Sequence, residues 1–513
     1  MNRGKIQLPL NFVSTFLAFV INSVIQFVIT PILTKQLGDE SYGFITIAND
    51  FTMYANVFAV VLNSVAARFI SVEVHRKNIK KAEQYYSSVF FGNLIICGFL
   101  ILISTIFVKN FDNFLNVSSE LVNDVRLVFI LTFVNYILSV YISIFSVATF
   151  VKNRLDLVAS RNILSYFVKL LVIIYLFVCF VDIKVYYIVI ATLVGTVVLG
   201  LSSMWISKKI MPEVKLNLKL FEFSYIYELL KSGVWMIINN LSNVFTNNVI
   251  TIMVNVMIGS DSAGFLAVAK TVPNCANSLL YSIYSVFSPT FVKLYAEEKY
   301  DKLREFSVFS MKIMALIIVI PLITICVLGY EFMTLWQSYR NESEIHSLWI
   351  LMCLAMALVI INVPLLSISQ LGLTVNKIKI QMINNLIVSI ITMISMYISI
   401  RSENTNLYII LFVILIIQGC KWIFFTPLYA ASIIKIRIST FFVENIKICL
   451  KELIIIAIFC TLKFNKYIYD WKSFVVICFL YAFIGYFLFF FMIFNKEELR
   501  LILGWIKNIK NKV

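Results

Sequence analysis

Runs of about twenty predominantly apolar residues, the length that crosses a bilayer as a helix, recur along the whole chain. They fall near residues 10–33, 42–66, 86–108, 127–149, 158–180, 186–207, 233–258, 263–290, 308–330, 347–370, 380–400, 405–433, 445–464 and 473–494. These fourteen spans leave no stretch for a separate soluble domain, so the pattern predicts an all-α integral membrane protein of about 14 transmembrane helices. The opening Met1-Asn2-Arg3-Gly4-Lys5 ahead of an apolar run has the outline of a signal peptide. No small-residue cleavage site follows it, and the run is read as the first span.

The apolar pattern repeats at an offset of 221 residues. Leu37-Gly38-Asp39-Glu40-Ser41-Tyr42-Gly43-Phe44 matches Ile258-Gly259-Ser260-Asp261-Ser262-Ala263-Gly264-Phe265. Without a gap, the same offset pairs Asn22 with Asn243, Val28-Ile29-Thr30 with Val249-Ile250-Thr251, and Asn56 with Asn277. There are 13 identities in the 48 positions from 22 to 69. Chance matches of Ile and Val come easily in apolar sequence; glycines and asparagines in register do not. Six spans separate the copies, so both have the same orientation, as in transporters built from parallel repeats. Two six-helix lobes are expected, residues 1–215 and 216–435, followed by two additional transmembrane helices and a basic tail in 436–513.

Composition sharpens this picture. The chain is 61% hydrophobic and only 14% charged, against about 25% charged in a soluble domain. The net charge of +16 would suit nucleic acid if it were evenly spread. Assigned to connections together with the span ends that flank them, however, 31 lysines and arginines fall on the side of the N-terminus and nine on the other, and three, Lys169, Lys270 and Lys421, lie deeper inside spans. Short basic connections stay in the cytoplasm. Both termini are therefore expected there, and nucleic acid is not an expected partner.

Polar side chains inside a span are costly and mark packed interfaces or a water-lined path. Asn49, Asn56 and Asn63 recur every seven residues in the second span, with Asp50 and Thr52 beside them. The eighth span carries Lys270, Asn274, Asn277, Tyr281 and Ser285; the seventh carries Asn239, Asn240, Asn243, Thr246 and Asn247; the first carries Asn22 and Gln26. Seven residues make two helical turns, so each set forms a stripe. Each Asn taken singly reads as interhelical packing, whereas four striped helices together read as a shared cleft. Lys169, Lys270 and Lys421 are intramembrane cations suited to an anionic substrate, and Asp50 is a candidate for a gate or for ion coupling. Asp50 and Lys270 occupy near-equivalent repeat positions and are expected to pair across the outward mouth.

The nine cysteines lie without a C-x-x-C pair, and neither His75 nor His346 falls inside a span. A metal site, a cofactor or a disulfide framework is not expected. The outer connections are short, which leaves little for catalysis, and no catalytic residue is assigned. A membrane polysaccharide polymerase or glycosyltransferase remains an alternative of another class.

The chain resembles the polysaccharide-unit flippases of the Wzx type, which share a superfamily (MOP) with the lipid II flippase and the MATE drug exporters. The resemblance rests on Val28-Ile29-Thr30-Pro31-Ile32-Leu33, Leu37-Gly38 and Tyr42-Gly43, then Ser232-Gly233-Val234-Trp235, Ile258-Gly259 and Ala263-Gly264-Phe265. It implies two lobes opening alternately to each side of a bacterial cytoplasmic membrane. It further implies an undecaprenyl-diphosphate-linked oligosaccharide as substrate, moved from the cytoplasmic to the outer leaflet for cell-surface polysaccharide assembly. Membrane lipids and other polysaccharide-assembly proteins would be its partners. The lysines would meet the diphosphate and the asparagines the sugars. A MATE-like exporter of drugs or cations is the alternative within the superfamily, although such exporters usually stop at twelve spans. The arginines expected in the first spans of a lipid II flippase are absent here.

Overall fold

A computed structural model describes residues 3–180, 182–284, 287–402, 406–462 and 467–494. The basic tail expected after the last span lies outside these residues. Among the described residues every regular element is helical. Hydrocarbon offers no water to the backbone, and a helix satisfies its N–H and C=O groups within one span.

The helical run Arg3–His75 holds two spans. At Gly38 the backbone turns to φ 80°, ψ 169°, which divides the run into α1 (3–37) and α2 (39–75). A residue with a Cβ avoids that region, so glycine is what allows so sharp a break. Then follow α3 (Ile79–Asn110), α4 (Val122–Val151), α5 (Leu155–Cys179) and α6 (Tyr186–Ile210). The second half holds α7 (Phe223–Asn247, resuming as Val249–Met257) and α8 (Ser260–Tyr284). After them come α9 (Tyr300–Val327), α10 (Glu342–Ser369), α11 (Lys379–Arg401), α12 (Leu407–Ile433), α13 (Ser439–Leu462) and α14 (Trp471–Ile493).

Among the described residues ten stretches are long and apolar enough to cross a membrane, and the first, Val13–Val57, covers most of α1 and part of α2. The remaining three, α7, α8 and α13, have spanning length but a more polar make-up, including Asn239, Lys270 and Glu452. Large apolar side chains stand far out of the protein surface, Val178 at 78% and Phe479 and Phe483 at 72% exposed, as contact with lipid requires.

By packing, the chain divides into two compact units, Met1–Val268 with Asn385–Ile400, and Ala269–Asn384 with Arg401–Val513. In the first, Ile25, Ile29 and Leu33 of α1 pack on Ile173 of α5 and on Ile188 and Ala191 of α6. A second core joins Val61 and Leu62 of α2, Tyr85 and Val89 of α3, Ile142 of α4 and Leu229 of α7. The break at Gly38 recurs in the second copy of the repeat, where Gly259 has φ 148°. α11 attaches to α7 through polar contacts: Asn385 Nδ2 donates to Asn239 Oδ1 at 3.0 Å, and the Thr246 and Ser389 hydroxyls lie 2.8 Å apart.

In the second unit, π-helical turns precede prolines in two spans, Ala315–Val319 before Pro321 in α9 and Lys421–Phe425 before Pro427 in α12. Pro321 has no N–H to offer the carbonyl four residues back. That carbonyl, of Ile317, accepts from the Tyr486 hydroxyl of α14 at 2.8 Å. The last helices are thereby fastened to α9, where Lys312 also lies 3.4 Å from Glu444 of α13.

Candidate functional site

Lys169 stands near the middle of the 25-residue α5 and is half-buried. Its Cβ lies 3.5 Å from where a Cβ on Gly195 of α6 would be, so the absence of a side chain there makes room for the base of the lysine. Among the described residues no carboxylate comes within ion-pair distance of Lys169. A charge so placed is a functional marker by default in a membrane span. The face of α5 that carries it is polar towards α6. The Ser165 hydroxyl donates to the Gly195 carbonyl at 2.8 Å, and Arg161 Nη1 donates to Ser203 Oγ at 2.8 Å.

The polar stripe of α2 splits by depth. Asn63 and Asn93 of α3 exchange amide hydrogen bonds of 3.2 and 3.1 Å, and Asn93 also reaches Ser143 of α4 at 3.2 Å. Asn56 accepts from Tyr136 of α4 at 3.3 Å. Asn49 is exposed and donates to its own helix at Ile45. Asp50 is buried, and its Oδ1 accepts from Asn248 Nδ2 at 2.5 Å, at the break in α7. Asn248 was not singled out by the pattern, because its neighbours already form the stripe.

On α1, Asn22 is half-buried and Gln26 is exposed. On α7, Asn239 is engaged by Asn385, while Asn243 and Asn247 are exposed. On α8, Lys270 and Asn277 are half-buried and Asn274 is exposed beside the in-helix Pro273. Ser285 and the side chain of Tyr281 lie outside what is described. Lys421 opens the π turn of α12, with Nζ 4.5 Å from the centroid of the Trp422 ring, in cation–π geometry.

At the end of the first unit where the breaks Gly38 and Gly259 lie, the connection between α3 and α4 is clipped to its surroundings. Asn116 bonds Asn255 of α7 through backbone and side chain, at 3.1, 2.8 and 3.3 Å, and also the Val256 carbonyl. Ser118 donates its N–H to Glu40 at 2.9 Å and its hydroxyl to the same carboxylate. Burial pushes the Asp261 carboxyl above the usual range, and the nearby charges of Glu40 and then Asp39 add to the shift.

Three buried polar groups escaped the pattern. Arg161 stands three residues inside the expected fifth span and was grouped with the basic connection before it. Glu452, a second carboxylate inside a span, is 4% exposed, with Oε1 unbonded among the described residues. Asn445, one heptad earlier on the same face of α13, is fully buried with both amide atoms unbonded among the described residues. Both lie inside the expected span 445–464, with Lys447 and Lys451 between them.

Spanning helices that hold charges and amides within them make this a multi-pass membrane protein. The fold is similar to that of the lipid II flippase MurJ in an inward closed conformation, with a TM-score of 0.66 and 15% identity, covering 94% of this chain and 97% of that one. It is also similar to an inward-facing multidrug resistance MATE family transporter of the MOP superfamily, with a TM-score of 0.63 and 14% identity, covering 86% and 95%. A MOP superfamily transporter from Pyrococcus furiosus aligns with a TM-score of 0.58 and 16% identity, covering 88% and 96%. The sequence matches the family described as polysaccharide biosynthesis protein over residues 10–295, and the chain belongs to that family. The uncharacterized membrane protein EpsK of Bacillus subtilis (strain 168) is 28% identical over 327 residues, which are 64% of this chain. The chain spans 65% of the length of that relative.

Proposed function

We propose that this membrane transporter is a flippase for undecaprenyl-diphosphate-linked oligosaccharide repeat units. It moves them by alternating access from the cytoplasmic to the outer leaflet of a bacterial cytoplasmic membrane, with both of its own termini in the cytoplasm. The observation that carries this reading is Lys169, a mid-span cation with no carboxylate at ion-pair distance among the described residues, in a chain of the polysaccharide biosynthesis protein family. An unpaired ammonium in a low-dielectric setting attracts an anion strongly, and a diphosphate supplies one. Lys270 and Lys421 would extend the cationic path. Asn22, Gln26, Asn49, Asn56, Asn239, Asn243, Asn247, Asn274 and Asn277 would offer amides to the sugars, and Asp50 would serve the gate or an ion. The repeat copies, in lobes 1–215 and 216–435, would move against each other, and the lipid tail would stay in the bilayer.

The test is leaflet-to-leaflet movement of a fluorescent undecaprenyl-diphosphate oligosaccharide in proteoliposomes. The unmodified protein should move it, and Lys169→Ala should slow it by about tenfold or more, the loss of one charge-assisted contact. Lack of movement by the unmodified protein, with export of small organic cations in its place, would replace this reading with a drug exporter.

A further inference from the structure

Arg161 is 7% exposed, and its guanidinium sits between α5 and α6. Its one hydrogen bond among the described residues runs from Nη1 to Ser203 Oγ, and Nε is sealed from solvent without an acceptor. Among the described residues no carboxylate lies within ion-pair distance of it. Asp156, little more than a turn away, is held by Arg154 through Nε and Nη2 at 2.9 and 2.8 Å. Ser203 cannot compensate for the charge, because it is a neutral hydroxyl that already donates to the Leu199 carbonyl at 2.5 Å.

A buried guanidinium with unused donors is costly unless an anion reaches it. Its planar fork matches phosphate oxygens in a bidentate way that an ammonium cannot reproduce. Depth identifies which phosphate. α5 begins at Leu155, on the side of the N-terminus. Arg161 is about 9 Å along the helix from there, near the boundary of headgroups and hydrocarbon, and Lys169 is about 12 Å deeper. Ser165 lies between them on the same face, engaged with α6.

We propose that Arg161, oriented by Ser203, binds the diphosphate of the polyprenyl carrier as it leaves the headgroup layer on the side of the termini, ahead of Lys169. This assignment rests on the flippase reading and adds to it a first binding position and an order of contacts. A carrier diphosphate is preferred over the single phosphate of a bulk lipid because it has more oxygens to share between Arg161 and a deeper cation.

The experiment uses the full chain in detergent micelles and measures binding of sugar-free undecaprenyl diphosphate by the rise in thermal-unfolding midpoint, with phosphatidylglycerol as comparison. The unmodified protein should bind the diphosphate. Arg161→Gln should weaken it by about tenfold or more, and Arg161→Lys, which keeps the charge and loses the fork, by a smaller factor. Equal affinity in the unmodified protein and Arg161→Gln overturns the assignment. If Arg161→Gln does not fold, an unchanged affinity in Arg161→Lys overturns it equally. Phosphatidylglycerol binding with the same dependence on Arg161 would make the position a general lipid contact and also overturn it. Transport by the same proteins reconstituted in proteoliposomes separates the two readings. Normal diphosphate binding by Arg161→Gln, alongside transport by the unmodified protein, removes this inference and leaves the flippase. Neither binding nor transport by the unmodified protein removes both.

Discussion

Gly43 and Gly264, equivalent positions of the internal repeat, touch each other. A Cβ on Gly43 would lie 2.8 Å from the Cα of Gly264, and a Cβ on Gly264 would lie 1.8 Å from the carbonyl oxygen of Asp39. The first turns of α2 and α8 therefore cross backbone to backbone, and a side chain at either glycine would run into the other helix's backbone. Small residues at such crossings let membrane helices approach closely where no hydrophobic force draws them together.

Gly264→Ala should accordingly be among the most damaging single-methyl changes in the protein. The obstructing atom is a backbone oxygen, which cannot rotate away as a side chain would. A loss of about 3 kcal/mol or more is expected, at the upper end of overpacking effects. Thermal unfolding in detergent would show it, and a midpoint within a degree of the unmodified protein would refute the contact. Gly98 is the control: a methyl group there would meet nothing within 4 Å, so Gly98→Ala should be tolerated.

The same junction should respond to pH. Asp261 has its carboxyl raised by burial and by its neighbours Glu40 and Asp39. A group whose folded pKa lies above its unfolded value binds more protons when folded. Its contribution is favourable below the unfolded pKa and is lost as pH rises through the folded one. Lowering the pH from neutrality into the range where this raised carboxyl takes up its proton should therefore strengthen the contact. Asp261→Asn should flatten the response and raise the midpoint at neutral pH. An unchanged pH profile in that variant would show that the three carboxylates do not act on one another.

α13 offers the opposite kind of change. Asn445 is buried with neither amide atom bonded among the described residues, so it bears desolvation with no return. Replacing it by leucine, similar in size and apolar, should stabilise the protein by about 1 kcal/mol or more. Destabilisation in the same unfolding assay would mean that Asn445 has a polar role. Glu452 on the same face would then be the first place to look for its counterpart.

Much of the architecture could be read along the chain. The spans and the repeat follow from local pattern; that its matched glycines, Gly38 and Gly259, take positive φ and break the helices came only with the structure. Lys169 was also legible, as a lone charge in an apolar run. Arg161 was not, because an arginine so near a span end reads as part of the basic connection, and only the packing of α5 on α6 buries it. Glu452 lies inside the expected span 445–464, but its burial depends on the packing of α13 and could not be read there. The stripe of Asn49, Asn56 and Asn63 was visible, but its division was not. Asn63 meets an amide 30 positions away and Asn56 a tyrosine 80 away, while Asn49 stays exposed.

The sequence by itself determined that the chain is helical, how often it crosses the membrane and that its halves repeat. Those properties depend on hydrocarbon thickness and on backbone hydrogen bonding, which act on each segment separately. Only the tertiary structure decided which polar groups are satisfied by neighbours and which keep unused donors or charge. A hydrogen bond forms within about 3 Å, and the rotation and spacing of two packed helices, not the composition of either, bring Arg161 to Ser203 and Asp50 to Asn248.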